Sequence, residues 1–165
     1  MTVKLLFYLC FSFFYCSSCL ASLAEQTIYL TWQRSPSTTM TIQWISEVDQ
    51  PQTSLLYRSI DSSDWMEVSG HTYKFPQTLT YLIHQVELLS LKPDSQYLFK
   101  FVNSSKCYCF KTMPCHLNSA ITFVIGGDLY HDKQDDLVTT CKQAALLSPS
   151  FAVLGGDIAY AGSSH

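Results

Sequence analysis

The sequence predicts two unlike parts in one chain, an antiparallel β-sandwich followed by the start of an α/β domain made of a single strand–helix–strand unit. Three observations predict this. From Thr27 to about Thr112 the text runs as short alternating stretches broken by clusters of turn residues, the cadence of antiparallel strands with one buried and one wet face. Two later stretches, "AITFVIGGD" and "SFAVLGGDIAYA", are continuously apolar, rich in β-branched residues and ended by glycine pairs, as in strands covered on both faces. Between those two, apolar residues recur at helical spacing. The 165 residues are 47% hydrophobic and 14% aromatic, enough apolar material for a real core. With a net charge of −3 and ten scattered Lys and Arg, the chain has no basic stripe to follow a phosphate backbone, and no nucleic-acid partner is expected.

Residues 1–24 read as a secretory leader. Lys4 supplies a positive start, "LLFYLCFSFFYC" an apolar centre shorter than the ~20 residues a bilayer span needs, and "SLA" a small-residue cleavage site before Glu25. The expectation is export to a periplasmic or extracellular space, by cleavage or by lipid anchoring at Cys19, the leader or anchor being the only membrane contact.

The sandwich is expected over residues 25–113. "TIYLTW", "MTIQWI" and "SLLYRSI" are strands separated by "RSPSTT" and "EVDQPQ". In the second of them Met40, Ile42 and Trp44 should point inward, with Thr41 and Gln43 facing water. In "HQVELLSLKPDSQYLFKFV" Val86 and Leu88 alternate inward, Leu91-x-Pro93 makes a corner, and Tyr97 opens the next strand. A tyrosine so placed can return its hydroxyl to the corner backbone while its ring packs inside. This stretch resembles a fibronectin type III domain, a fold that implies no particular activity.

"KTMPCHLNS" ends the sandwich, and residues 114–120 are read as a linker. Residues 121–165 then carry the strand–helix–strand unit, with a parallel strand pair and a right-handed crossover. Leu137, Val138, Cys141, Ala144 and Ala145 form one apolar helix face, while Asp132 and Asp135 suit the N-cap and first turn. Both strands end in "GGD". Asp128 and Asp157 therefore stand at the carboxyl ends of parallel strands, where open α/β sheets place ligands, with the strands about 4.8 Å apart. Two carboxylates that close cannot both stay ionised without cations, and a pair of metal ions ~3.5–4 Å apart is the natural guest.

"GGD" at 126–128 followed by "GGDIAYA" at 155–161 resembles the first two motifs of the calcineurin-like metallophosphoesterases. Tyr160, three residues after Asp157, together with the preceding fibronectin-like domain, looks like the purple acid phosphatases in particular. The resemblance implies a dinuclear metal centre in which Asp128 binds one metal, Asp157 bridges both, and Tyr160 binds a ferric ion as phenolate beside a divalent Zn, Mn or Fe. It implies hydrolysis of a small phosphate ester by a metal-dependent acid phosphatase. A hard trivalent ion favours these oxygen donors. The family's first motif has glycine two residues after its Asp, where this chain has Tyr130 and then His131. Its Asn-His and later histidine motifs do not occur among the 165 residues, so the resemblance implies an incomplete centre, a missing C-terminal half and a chain inactive on its own. The competing expectation is a non-catalytic secreted binding module with a vestigial phosphoesterase segment. A phosphodiesterase or nucleotidase of the same superfamily is disfavoured by Tyr160 and the sandwich.

Of seven cysteines, Cys10, Cys16 and Cys19 lie in the leader, leaving Cys107, Cys109, Cys115 and Cys141. These are expected as structural thiols or disulfides, with three pairings open, rather than as metal ligands, because a lone C-x-C lacks zinc-site spacing.

Overall fold

The alternating stretches form eight antiparallel strands. A computed structural model describes residues 27–50, 52–74, 80–116, 120–127 and 134–156. The strands are β1 (Tyr29–Thr31), β2 (Met40–Glu47), β3 (Ser54–Ser59), β4 (Met66–Ser69), β5 (His71–Lys74), β6 (Tyr81–Leu88), β7 (Gln96–Phe101) and β8 (Tyr108–Lys111). One sheet has the order β1-β2-β6-β5 and the other β4-β3-β7-β8, the two-sheet arrangement of immunoglobulin-like sandwiches. Met40, Ile42, Trp44, Val86 and Leu88 from the first sheet meet Leu55, Tyr97, Phe99 and Phe110 from the second in one buried core.

The inward phase of β2 is as the alternation predicts, but Thr41 does not face water. It is fully buried, and its Oγ1 has no hydrogen-bond partner. In register it lies between Thr31 and Glu87, and Glu87 is paired with Arg34 at 3.3 Å. A short side chain beside the longer Glu87–Arg34 pair is roofed over even on the outer face.

The chain passes from one sheet to the other between β4 and β5, and Gly70 is the residue at the crossing. A Cβ built there would stand 2.0 Å from the Gln85 carbonyl oxygen, so only glycine allows the backbones to approach this closely. The Gly70 amide donates to the Thr53 carbonyl at 2.9 Å, tying this crossing to the β2–β3 crossing.

At the corner before β7, the Tyr97 hydroxyl accepts the Lys92 amide at 2.8 Å while its ring stacks on Phe110 at 5.5 Å, which is the tyrosine-corner device. The corner is fastened again from β8's end: Thr112 Oγ1 accepts the Ser95 amide at 3.0 Å and donates to the Lys92 carbonyl at 2.7 Å. Tyr97→Phe should therefore cost about 1–2 kcal/mol, because it strands a part-buried amide, while leaving the core volume nearly unchanged. Urea unfolding with an unaltered m-value checks this.

The chain divides between Cys115 and His116, and the second part is described by itself. It holds β9 (Phe123–Gly126), helix α1 (Gln134–Leu146) and β10 (Phe151–Leu154). β9 and β10 pair in parallel, Phe123 with Phe151 and Gly126 with Leu154. Helix α1 ends through a tightened turn, the Ser148 amide donating to Ala145 at 2.9 Å, with Ser148 at φ 48° and Pro149 next, a left-handed stop followed by a residue that cannot continue the helix.

Two expectations fail here. The strands are not covered on both faces: Phe123, Ile125, Val153 and Leu154 are all exposed, because α1 is the only other element described in this part. The apolar helix face is also narrower than its spacing suggests. Leu137, Ala144 and Ala145 are half-buried, whereas Val138 and Cys141 are exposed.

Candidate functional site

The carboxyl ends of β9 and β10 are where ligand chemistry was expected, and the backbone there is specific. Parallel pairing continues past the strands, with the Gly155 amide donating to the Gly126 carbonyl at 2.9 Å. The register sets Gly126 level with Leu154, so the two glycine pairs are offset by one residue. The glycines also differ in what they permit. A Cβ at Gly127 would meet the Gly155 carbonyl oxygen at 2.2 Å, while one at Gly155 would meet nothing within 4 Å. Gly156 has φ 74°, the left-handed region that favours glycine. Two of the four glycines are thus required by close approach or backbone turn, and they immediately precede the two aspartates.

Gly127→Ala should separate the strand ends and lower the stability of this part by about 1–3 kcal/mol, whereas Gly155→Ala should be close to neutral. Amide exchange of β9 and β10 in the two variants checks the difference.

Asp128, Asp157 and Tyr160 lie outside the described residues, as do Tyr130, His131, Asp132, His165 and the leader 1–24. Among the described residues no group of three or more His, Cys, Asp or Glu could hold a metal ion, and no helix is long and apolar enough to cross a membrane. Cys107, Cys109, Cys115 and Cys141 are all exposed. Cys107, Cys115 and Cys141 are free thiols, the first of the two alternatives expected for them.

A second polar constellation lies inside the sandwich. His84 is fully buried on β6, in phase with Val86 and Leu88. Its ring stacks on Trp44 at 5.0 Å and 8°. Nε2 lies 2.7 Å from Ser46 Oγ and Nδ1 lies 2.6 Å from Thr53 Oγ1, which is itself hydrogen-bonded to Thr72 Oγ1. Ser46 Oγ also donates toward the carbonyls of Glu47 at 2.9 Å and Gln50 at 3.1 Å. Burial holds the imidazole below its ordinary 6.5, because the charged form would lose its hydration. Sequence reasoning passed over this residue. The available signal was a histidine in the inward phase of an alternating strand, where a polar group must find partners.

An eight-stranded sandwich with a tyrosine corner, followed by a parallel strand pair ending in glycines, defines an immunoglobulin-like β module leading into a different kind of structure. Residues 25–112 match the family described as purple acid phosphatase, N-terminal domain. That match takes in more than half of the chain, which belongs to this family; residues 113–165 lie outside the match. Among solved structures the chain is similar to the sensor domain of the anti-sigma factor RsgI4 of Pseudobacteroides cellulosolvens in two lengths. The longer is 22% identical with a TM-score of 0.39, covering 57% of this chain and 93% of that one. The shorter is 20% identical with a TM-score of 0.36, covering 57% of this chain and 98% of that one. No curated protein matches the chain.

Proposed function

We propose that the chain is an exported part of a metal-dependent acid phosphatase, comprising its accessory sandwich and the opening segment of its catalytic domain over residues 121–165, joined by a linker at 114–120. The observation that carries this reading is the parallel β9–β10 pair behind a sandwich of the purple acid phosphatase N-terminal family, with glycine-only approach at the strand ends that lead to Asp128 and Asp157. A parallel pair with an open apolar face is what one expects of a piece of a larger sheet, since parallel strands are ordinarily covered on both sides.

The donor set suits a hard trivalent ion. Asp128 and Tyr160 would hold a ferric ion, and Asp157 would bridge to a divalent Zn, Mn or Fe. Glycines at 127 and 156 allow the close strand approach and the backbone turn that immediately precede the two aspartates in sequence. When bound, such a pair supplies a Lewis acid and a water of lowered pKa for attack on a small phosphate ester. The chain's own carboxylates would keep the two ions together, and its phenolate would tune the ferric one. In this reading the centre is incomplete without further ligands, and residues 1–24 act as a leader or a lipid-anchored segment.

The test is a ferric titration of the purified chain. The expected result is a visible phenolate-to-iron absorption that disappears in Tyr160→Phe, with no phosphate released from p-nitrophenyl phosphate. Absence of that absorption in the parent chain would overturn the metal assignment, leaving a secreted module with a vestigial second part. Phosphate release abolished by Asp157→Asn would instead overturn the incompleteness.

A further inference from the structure

We propose that His84 is a proton-sensitive latch between the two sheets, which closes one end of the sandwich when the imidazole is neutral and releases it when the imidazole takes up a second proton. Its two direct partners, Ser46 and Thr53, flank the β2–β3 crossing, and Thr53 is bonded in turn to Thr72 beyond the β4–β5 crossing. Ser46 ends the inward row of β2 and is bonded to the Gln50 carbonyl in the β2–β3 crossing; Thr53 closes that crossing; Thr72 is the second residue of β5, just after the β4–β5 crossing at Gly70. The two crossings are joined directly through the Gly70 amide on the Thr53 carbonyl. One ring thus holds three segments.

A neutral imidazole satisfies this network in one direction. Thr72 donates to Thr53, Thr53 donates to Nδ1, Nε2–H donates to Ser46, and Ser46 donates to the backbone carbonyls. A second proton on Nδ1 points at Thr53 Oγ1 just where that hydroxyl is donating, so two hydrogens face each other until the chain reverses. Among the described residues no carboxylate is buried beside the ring, Asp49 in the β2–β3 crossing being exposed, and the stacked Trp44 face favours the new charge only weakly. The titratable groups on the inward side are Tyr57, Tyr97 and Tyr108, with Lys74 at the exposed end of β5. By strand alternation Glu47 on β2, Glu87 on β6, Glu67 on β4, Arg58 on β3, Lys100 on β7, and His71 on β5 face outward. An uncompensated buried imidazolium is costly, and parting the crossings to admit water is the available relief.

The sign follows from the depressed folded value. The open form binds the proton more readily, so closure is fully favoured above 6.5 and is lost as pH falls from 6.5 toward the lowered folded value. Amide exchange at Gly70 in the full chain, corrected for the intrinsic effect of pH, reads the opening. With an open-state pKa of 6.5, opening should rise between pH 7 and pH 5.5, by at most about eightfold. In His84→Gln, whose amide can donate to Ser46 and accept from Thr53 without titrating, the rise should vanish. A rise of the same size in that variant, or none in the parent chain, overturns the proposal. Should His84→Gln fail to fold, imidazole nitrogen shifts of the parent chain decide. A ring protonated on Nε2 at pH 7 that titrates in step with Gly70 opening supports the latch, and one that gains its second proton while Gly70 stays protected overturns it.

Discussion

Phe99→Ala is expected to unfold the sandwich under conditions where the parent chain is fully folded, at a cost of about 3–5 kcal/mol. Phe99 is completely buried in the middle of β7, pairs across the strand with Tyr57, stacks on Tyr108 at 5.2 Å and lies against Phe110 at 6.3 Å. Its neighbours are themselves large rings anchored on paired strands, so they cannot collapse into the space a benzyl group leaves. A small domain has only ~5–15 kcal/mol of net stability, so this one truncation consumes a large share. The neighbouring Leu98, on the outer face opposite Arg58 and Cys109, is the control, and Leu98→Ala should cost about 1 kcal/mol or less. Equilibrium urea unfolding of both variants makes the comparison. Equal losses would mean that the sheet faces are assigned the wrong way round.

Gly70→Ala should be almost as damaging, for a different reason. The added methyl would run into a single peptide group of β6, the Gln85 oxygen at 2.0 Å, its carbon at 2.8 Å and the Val86 Cα at 2.9 Å. No side chain can rotate away to make room. The expected loss is about 3 kcal/mol, at the upper end of overpacking costs, since either β6 must shift or the crossing between β4 and β5 must open. A shift of β6 would also disturb its long pairing with β2, which runs from Met40–Leu88 to Glu47–Tyr81. Thermal melts and the amide exchange of β5 distinguish global loss from local detachment. An alanine variant as stable as the parent would show that the two strands are not held this close in solution.

Much of the sandwich was legible because a period of two is a direct record of which side of a strand faces the core. Met40, Ile42 and Trp44 carried it in β2, and Val86 and Leu88 in β6. Tyr97 was legible because a phenol at a strand's start has few other uses, and its bond to Lys92 stands where the corner required it. Thr41 was misread because alternation reports orientation and not cover; its burial depends on Thr31 and Glu87, which are distant in sequence. The break of one extended run into β4 and β5 at Gly70 was not legible either, since the cause is a carbonyl fifteen residues away on β6. His84 was passed over for the same reason: its two hydroxyl partners, Ser46 and Thr53, come from segments that only the folded sheet brings together. In the second part, the parallel pairing of β9 and β10 followed from two matching apolar runs. The one-residue offset of their glycine pairs did not, because register is decided by backbone contact rather than by motif.

The bare flank of β9 and β10 has a practical corollary. Short strands carrying greasy exposed residues, such as Ile125 at 74% exposure, are adhesive toward other copies of themselves. Concentrated solutions should turn cloudy through this segment before the sandwich loses its shape. Ile125→Lys, placing a repelling charge on that flank, should raise the concentration at which light scattering sets in while leaving the melting of the sandwich untouched.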